Sequence, residues 1–162
     1  MTTDPDAERG LLRHTLATLA YRGGKAVRGA PASFATFRIG EGRTRTPDAI
    51  LAHVGDLMDW ALSLARNAQQ WRNSPAQDWG ADSERFFAAA RALDAFLACD
   101  APLGAPPDRL FQGPIADALM HFGQIAMLRR LAGGPVRPEN YFVADITMGR
   151  VGKDQSPPKM EF

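Results

Sequence analysis

The chain has almost no cysteine: Cys99 stands alone among 162 residues. A single thiol cannot close an internal disulfide or build a cysteine cage around a metal. Long apolar runs are missing too, and none approaches the roughly 18 residues needed to span a bilayer. The opening residues, MTTDPDAE, are acidic and polar, unlike a secretory signal. No charge of one sign dominates. The formal net charge is +1 and no block of Lys or Arg stands out, which argues against a nucleic-acid surface. Repeats, low-complexity tracts and convincing apolar–polar alternation are absent as well. These absences leave a cytoplasmic globular protein as the expectation, with neither nucleic acid nor membrane as a partner.

The remaining composition is ordinary, 45% apolar and 23% charged, which suits a globular domain. The length allows one domain, residues 1–162, with a real core. A first helix is expected from Glu8 to about Tyr21, where Leu12, Leu16 and Leu19 recur at helical spacing with Leu11 beside them. Gly23-Gly24 should loosen it, with a continuation to residue 28 after a bend. His14 lies on the flank of this stripe and reads as an exposed or hydrogen-bonded histidine. Residues 29–46 are rich in Gly, Pro, Ser, Thr and Arg. Phe34, Phe37 and Ile39 suggest that part of this segment packs, and its length suggests a crossover connection or a binding lid.

Thr46-Pro47-Asp48 is a strong helix start: a capping threonine, a proline at the first helical position, and an aspartate at the positive end. This second helix should reach about residue 70. Ile50, His53, Leu57, Trp60 and Leu64 share its apolar stripe, while Asp56 and Asp59 read as part of a solvated face. A third helix is expected over about 82–99, with Phe86, Ala90, Leu93 and Leu97 inward and Cys99 as a small buried filler. The fourth is expected over about 113–132, entered at Gly113-Pro114, with Asp108 to Gln112 as a candidate helical lead-in, and stopped by Gly133-Gly134-Pro135. Arg129 and Arg130 suit its negative end. Residues 136–162 read as an irregular tail over the bundle. Four amphipathic helices with unequal connections predict an all-α four-helix bundle that is not simply up-down-up-down.

The fourth helix carries Asp117 and His121, which at i and i+4 lie about 5–6 Å apart on one face. His53 comes from the apolar stripe of the second helix, and bundles build metal sites from such inward-facing side chains. One carboxylate and two imidazoles leave coordination positions open, as catalytic sites do. The donor set suits iron(II), nickel, manganese or zinc. A carboxylate in an apolar groove needs a partner, and no Lys or Arg lies within a turn of Asp117 on its own helix. Gln124 continues the face and could orient a ligand or a bound water, or simply make a polar contact between packed helices. The competing reading is an Asp117–His121 hydrogen bond with no metal. A further option is an anionic substrate held by Arg129, Arg130, Arg43 and Arg45, against plain helix-end and solubility roles.

The segments ILAHVGDLMDWAL (Ile50–Leu62) and DALMHFGQIAMLRRLAG (Asp117–Gly133) resemble the DinB-like four-helix bundles, also described as YfiT-like metal-dependent proteins. The shared features are the second-helix histidine, the His-x-Gly-Gln run, the LRRLAG ending and ENYF at Glu139–Phe142. The resemblance covers roughly residues 8–150. It implies a bundle with a long crossover, a homodimer, and a divalent metal on three side chains. The second-helix ligand falls on His53 and the last ligand on His121. The third, a histidine in many relatives, falls on Asp117, which alters the charge of the site. Relatives include thiol-dependent S-transferases and a mycothiol-dependent isomerase, in which the metal lowers the pKa of a thiol. The implied function is a metal-dependent thiol transferase, isomerase or hydrolase acting on a small molecule, with a low-molecular-weight thiol as a second cofactor. The alternative is a non-catalytic binding or dimerisation bundle.

Overall fold

The computed structural model describes residues 5–162. Its helices are α1 (Pro5–Val27), α2 (Pro47–Ala65), α3 (Trp79–Leu97), the short α4 (Pro107–Leu110) and α5 (Ala116–Leu131). A π turn, Phe111–Ile115, joins α4 to α5 with helical backbone at each junction, so the three make one rod. Among the described residues no β-strand forms; a lone bridge pairs Glu139 with Glu161. No described helix is long and apolar enough to cross a membrane.

The packing explains the unequal connections. Helix α1 borders α3 and α5, and α2 also borders α3 and α5. Helices α1 and α2 therefore lie across a diagonal, and residues 28–46 carry the chain over it. That crossover is anchored, not loose. Phe34 is buried, stacks on Phe37, and meets the Trp79 ring edge-on at 5.4 Å. One continuous core includes Leu12, Leu16 and Leu19 of α1, Phe86, Ala90, Leu93 and Leu97 of α3, and Ala118, Ile125 and Leu128 of α5. The α1 and α3 sets are the expected stripes. Leu11 is the exception: it points outward and keeps 68% of its surface exposed.

Several boundaries differ from the expected ones for identifiable reasons. Gly23-Gly24 does not break α1. A Cβ on Gly23 would lie 2.6 Å from the Phe122 ring of α5; the glycine is there to admit that ring. Helix α2 stops at Ala65, five residues short of the expected end, because Asn67 takes a left-handed φ of 54°. Asparagine tolerates that conformation better than most residues. Gly104 packs directly on Asn67, where a Cβ would meet the Asn67 nitrogen at 2.2 Å. Helix α3 starts early because Asp78 caps it, accepting from the Ala81 amide at 2.9 Å. The last rod begins at Pro107, so Gly113-Pro114 lies inside it. Pro114 has no amide to donate, and the chain absorbs this as the π turn.

Two side-chain expectations are overturned. Asp56 is not solvated: it is 1% exposed. Its carboxylate accepts from Arg85 Nη2 at 2.5 Å and from the Ser74 amide and hydroxyl at 2.8 and 2.7 Å. Arg85 also pairs with Asp59 at 2.9 Å. Helix α2 is covered on two sides, by α3 and α5, so a position beside its apolar stripe still becomes buried. Cys99 is exposed, because α3 ends at Leu97 and the thiol lies past the packed face.

The tail is irregular, as expected, but firmly tied. Glu139 is buried and accepts from the Tyr21 hydroxyl and from Lys25, each at 2.7 Å. Lys25 also reaches Glu161 at 2.7 Å. Burial and the Glu139 hydrogen bond push the Tyr21 hydroxyl to a higher pKa.

The two adjacent glycines of α1 give a sharp test of the packing. Gly23→Ala should destabilise the fold by about 1–3 kcal/mol, since the buried Phe122 ring, already packed on Phe86 at 4.8 Å, has little room to retreat. Gly24→Ala meets only ordinary contact with Phe87 at 3.4 Å, and better helix propensity should make it neutral or stabilising by up to about 1 kcal/mol. Urea unfolding of both variants would check the difference.

Candidate metal centre

The site lies on the seam between α2 and α5. The π turn sits immediately before Ala116, and one extra residue rotates the following helical face by about 100°. Helix α5 then puts Phe122 into the core against Phe86. His121, its neighbour, is turned by a similar angle toward α2. His53 meets it from the middle of α2, with ring centroids 4.8 Å apart and the rings perpendicular.

Asp117 stands between the two imidazoles. Its Oδ1 is 3.5 Å from His121 Nε2, and its Oδ2 is 3.9 Å from His53 Nε2. The three residues bring donor atoms within 4.8 Å of one another and could hold a metal ion. An ion with 2.0–2.2 Å bonds places tetrahedral donors roughly 3.3–3.6 Å apart. One separation already falls in that range, and the others need closing by side-chain rotation. Both Asp–His separations are longer than a normal hydrogen bond. The Asp117–His121 hydrogen bond expected in the absence of a metal is therefore not formed. His53 and His121 are mostly buried, whereas Asp117 keeps 36% of its side chain exposed, so the centre opens to solvent on the carboxylate side.

The surroundings orient the donors. Gln124 Oε1 lies 3.1 Å from His121 Nδ1. A neutral ring that donates from Nδ1 keeps its Nε2 lone pair free, facing Asp117, which is how metal-binding histidines are commonly aimed. Gln124 thus makes the contact with His121 that an orienting role requires. Trp71 was not anticipated. Its ring meets His53 edge-on at 5.7 Å and Trp60 at 5.6 Å. The segment after α2 holds it there: the Gln70 amide donates to Ser63 Oγ at 3.0 Å, and Ser74 is bound by Asp56. No spacing rule could find Trp71, because it acts from a non-helical segment.

His14 is exposed on α1 and takes no part. Arg129 is not available to a substrate. Its guanidinium donates to Ala26 O, Arg28 O and Gly29 O at the end of α1, and to Gly134 O after its own helix. It neutralises carbonyls that a helix end leaves unpaired, and burial lowers its pKa.

The electrostatics favour a neutral His53. Burial depresses its pKa first, and the neighbouring His121 and Arg45 push in the same direction; Asp117 and Asp56 oppose them less. A neutral imidazole is the form that binds metal. A depressed folded-state pKa also means that the unfolded chain takes up this proton first. In chelator-containing buffer, stability should therefore fall as pH drops from about 7 toward 5, through the unfolded value near 6.5. His53→Gln should flatten that part of the pH profile of the thermal midpoint; an unchanged slope would contradict the assignment.

No protein-family model matches the chain, and no curated protein or solved structure matches it.

Proposed function

We propose that the chain is a divalent-metal-dependent enzyme of the DinB-like kind, with His53, Asp117 and His121 as the protein ligands. The observation that carries this is a carboxylate set between two imidazoles at distances too long for hydrogen bonds and close to those of donors around one ion. Two imidazoles and one carboxylate suit zinc, nickel, iron(II) or manganese and leave positions for an exogenous ligand. A bound ion would supply Lewis acidity, lowering the pKa of a water or a small thiol that reaches it. The chain's own contribution is positional. Gln124 holds the His121 ring, Trp71 packs edge-on against His53, and Asp117 offsets one of the two metal charges. The resemblance of Ile50–Leu62 and Asp117–Gly133 to DinB-like bundles supports thiol transfer, isomerisation or hydrolysis as the reaction class. The non-catalytic reading depends on an Asp117–His121 hydrogen bond, which the 3.5 Å separation disfavours.

Protein purified without an affinity tag should bind about one divalent ion per chain in a competition titration with a chromophoric chelator. At a metal concentration 100 times Kd, stability should rise by about 2.7 kcal/mol and return to baseline on chelation. His121→Ala should weaken binding more than about 100-fold, and Gln124→Leu by about 10–100-fold, with helix content unchanged. Undiminished affinity in His121→Ala would sink the assignment.

A further inference from the structure

Next to the candidate centre, between the start of α2 and the end of α5, lies a groove of about 320 Å³. That is near the lower end of the roughly 300–1,000 Å³ typical of small-ligand pockets. Ile50 and Leu128 are buried beneath it. Ile39 from the crossover, with Met127 and Leu131 from α5, lines its sides. Met127 and Leu131 keep 57% and 56% of their surface exposed. Large apolar side chains left open together mark a surface that receives something.

The groove is joined to the centre on both helices. Ile50 lies three residues before His53 on α2. Gln124, which touches His121 Nδ1, also lines the groove, three residues beyond His121 on α5. The groove therefore begins about one helical turn from two of the candidate ligands. Its charged member is Arg45. Among the described residues, Arg45 makes no ion pair, and the groove holds no carboxylate to pair with it. With a divalent ion in place, Asp117 offsets only one of its two charges, and Arg45 adds another positive charge beside it. The local field then calls for an anion, and the groove calls for a hydrocarbon.

We propose that this groove binds the substrate of the centre, a small carboxylate with an apolar body. The carboxylate lies between Arg45 and the ion, and the hydrocarbon lies against Ile39, Met127 and Leu131. This rests on the metal reading above for the ion's share of the charge. It assigns Arg45 to recognition of the anion, and it explains why the crossover segment is brought over α2 and α5.

The test is calorimetric binding of butanoate, octanoate and 1-octanol to the full chain, zinc-loaded and metal-free, with zinc affinity measured separately for every variant. Octanoate should bind more tightly than butanoate, by roughly two- to fourfold per methylene until the groove is full. It should bind at least about tenfold more tightly than octanol, as expected for a charge-assisted contact. Arg45→Ala should weaken octanoate about tenfold and leave octanol unchanged, with Arg45→Lys intermediate. Met127→Trp, which fills the groove, should abolish octanoate binding and leave zinc affinity unchanged. Equal binding of octanoate and octanol, or indifference to both Arg45→Ala and Met127→Trp, would overturn the proposal while leaving the metal centre standing. So would a dimer in sedimentation that excludes octanoate and dissociates on Met127→Asp, since a second copy would then cover the groove. Octanoate selection through Arg45 in a chain that binds no zinc would remove the metal reading and retain the carboxylate groove.

Discussion

The Phe122 ring rests on bare backbone at Gly23, and much else depends on that contact. A Cβ at Gly23 would overlap the ring at 2.6 Å, so α1 and α5 approach as closely as a glycine allows. The ring is held from the other side by Phe86 of α3. With Phe122 fixed between α1 and α3, α5 cannot rotate, and the residues on either side of Phe122 have only one way to face. His121 turns to α2, and Asp117, one turn earlier, turns with it. The π turn at Phe111–Ile115 supplies the matching phase at the start of the helix. An aromatic contact in the core thus sets the geometry of a polar site about a side chain away.

The site itself is a problem in charge. Asp117 faces two imidazoles, and burial keeps His53 from charging easily. Among the described residues no Lys or Arg pairs with the carboxylate. The nearest strong ion-pair network, Asp56–Arg85–Asp59, is already closed on itself and on Ser74. That network does a second job by holding the segment that carries Trp71 against His53. A divalent ion at the three donors would satisfy the carboxylate, and Arg45 beyond it would leave the surroundings in want of an anion. The carboxylate groove follows from the same sum of charges as the metal site.

How much of this was legible in the sequence depended on range. The helices could be read because leucines and phenylalanines at 3.6-residue spacing report a buried face directly. Asp117 and His121 could be paired because they are four residues apart, and His53 could be added because a histidine in an apolar stripe must face inward or toward a partner. Glycines were misread. Gly23 looked like a bend and Gly113 like a helix entry, but one admits a ring from another helix and the other lies within a continuous rod. That information belongs to the partner helix and is absent from local spacing. Asp56 looked solvated for a related reason: a helix covered by two neighbours buries more than one stripe, and Arg85 lies 29 residues away. Cys99 was placed in the core because α3 was expected to run two residues too far. Trp71 sits on a non-helical segment, where periodicity carries no signal; Arg45 and Ile39, on the crossover, could be picked out by charge and hydrophobicity but not placed by spacing.

The central claim is that His53, Asp117 and His121 share one ion. Crystals grown from zinc-loaded protein, with data on both sides of the zinc absorption edge, test it most directly. The expected result is one anomalous peak per chain on the α2–α5 seam, about 2.0–2.2 Å from His53 Nε2, His121 Nε2 and an Asp117 carboxylate oxygen. A seam with no peak, or a zinc ion held by other side chains while these three keep their separations, would contradict it.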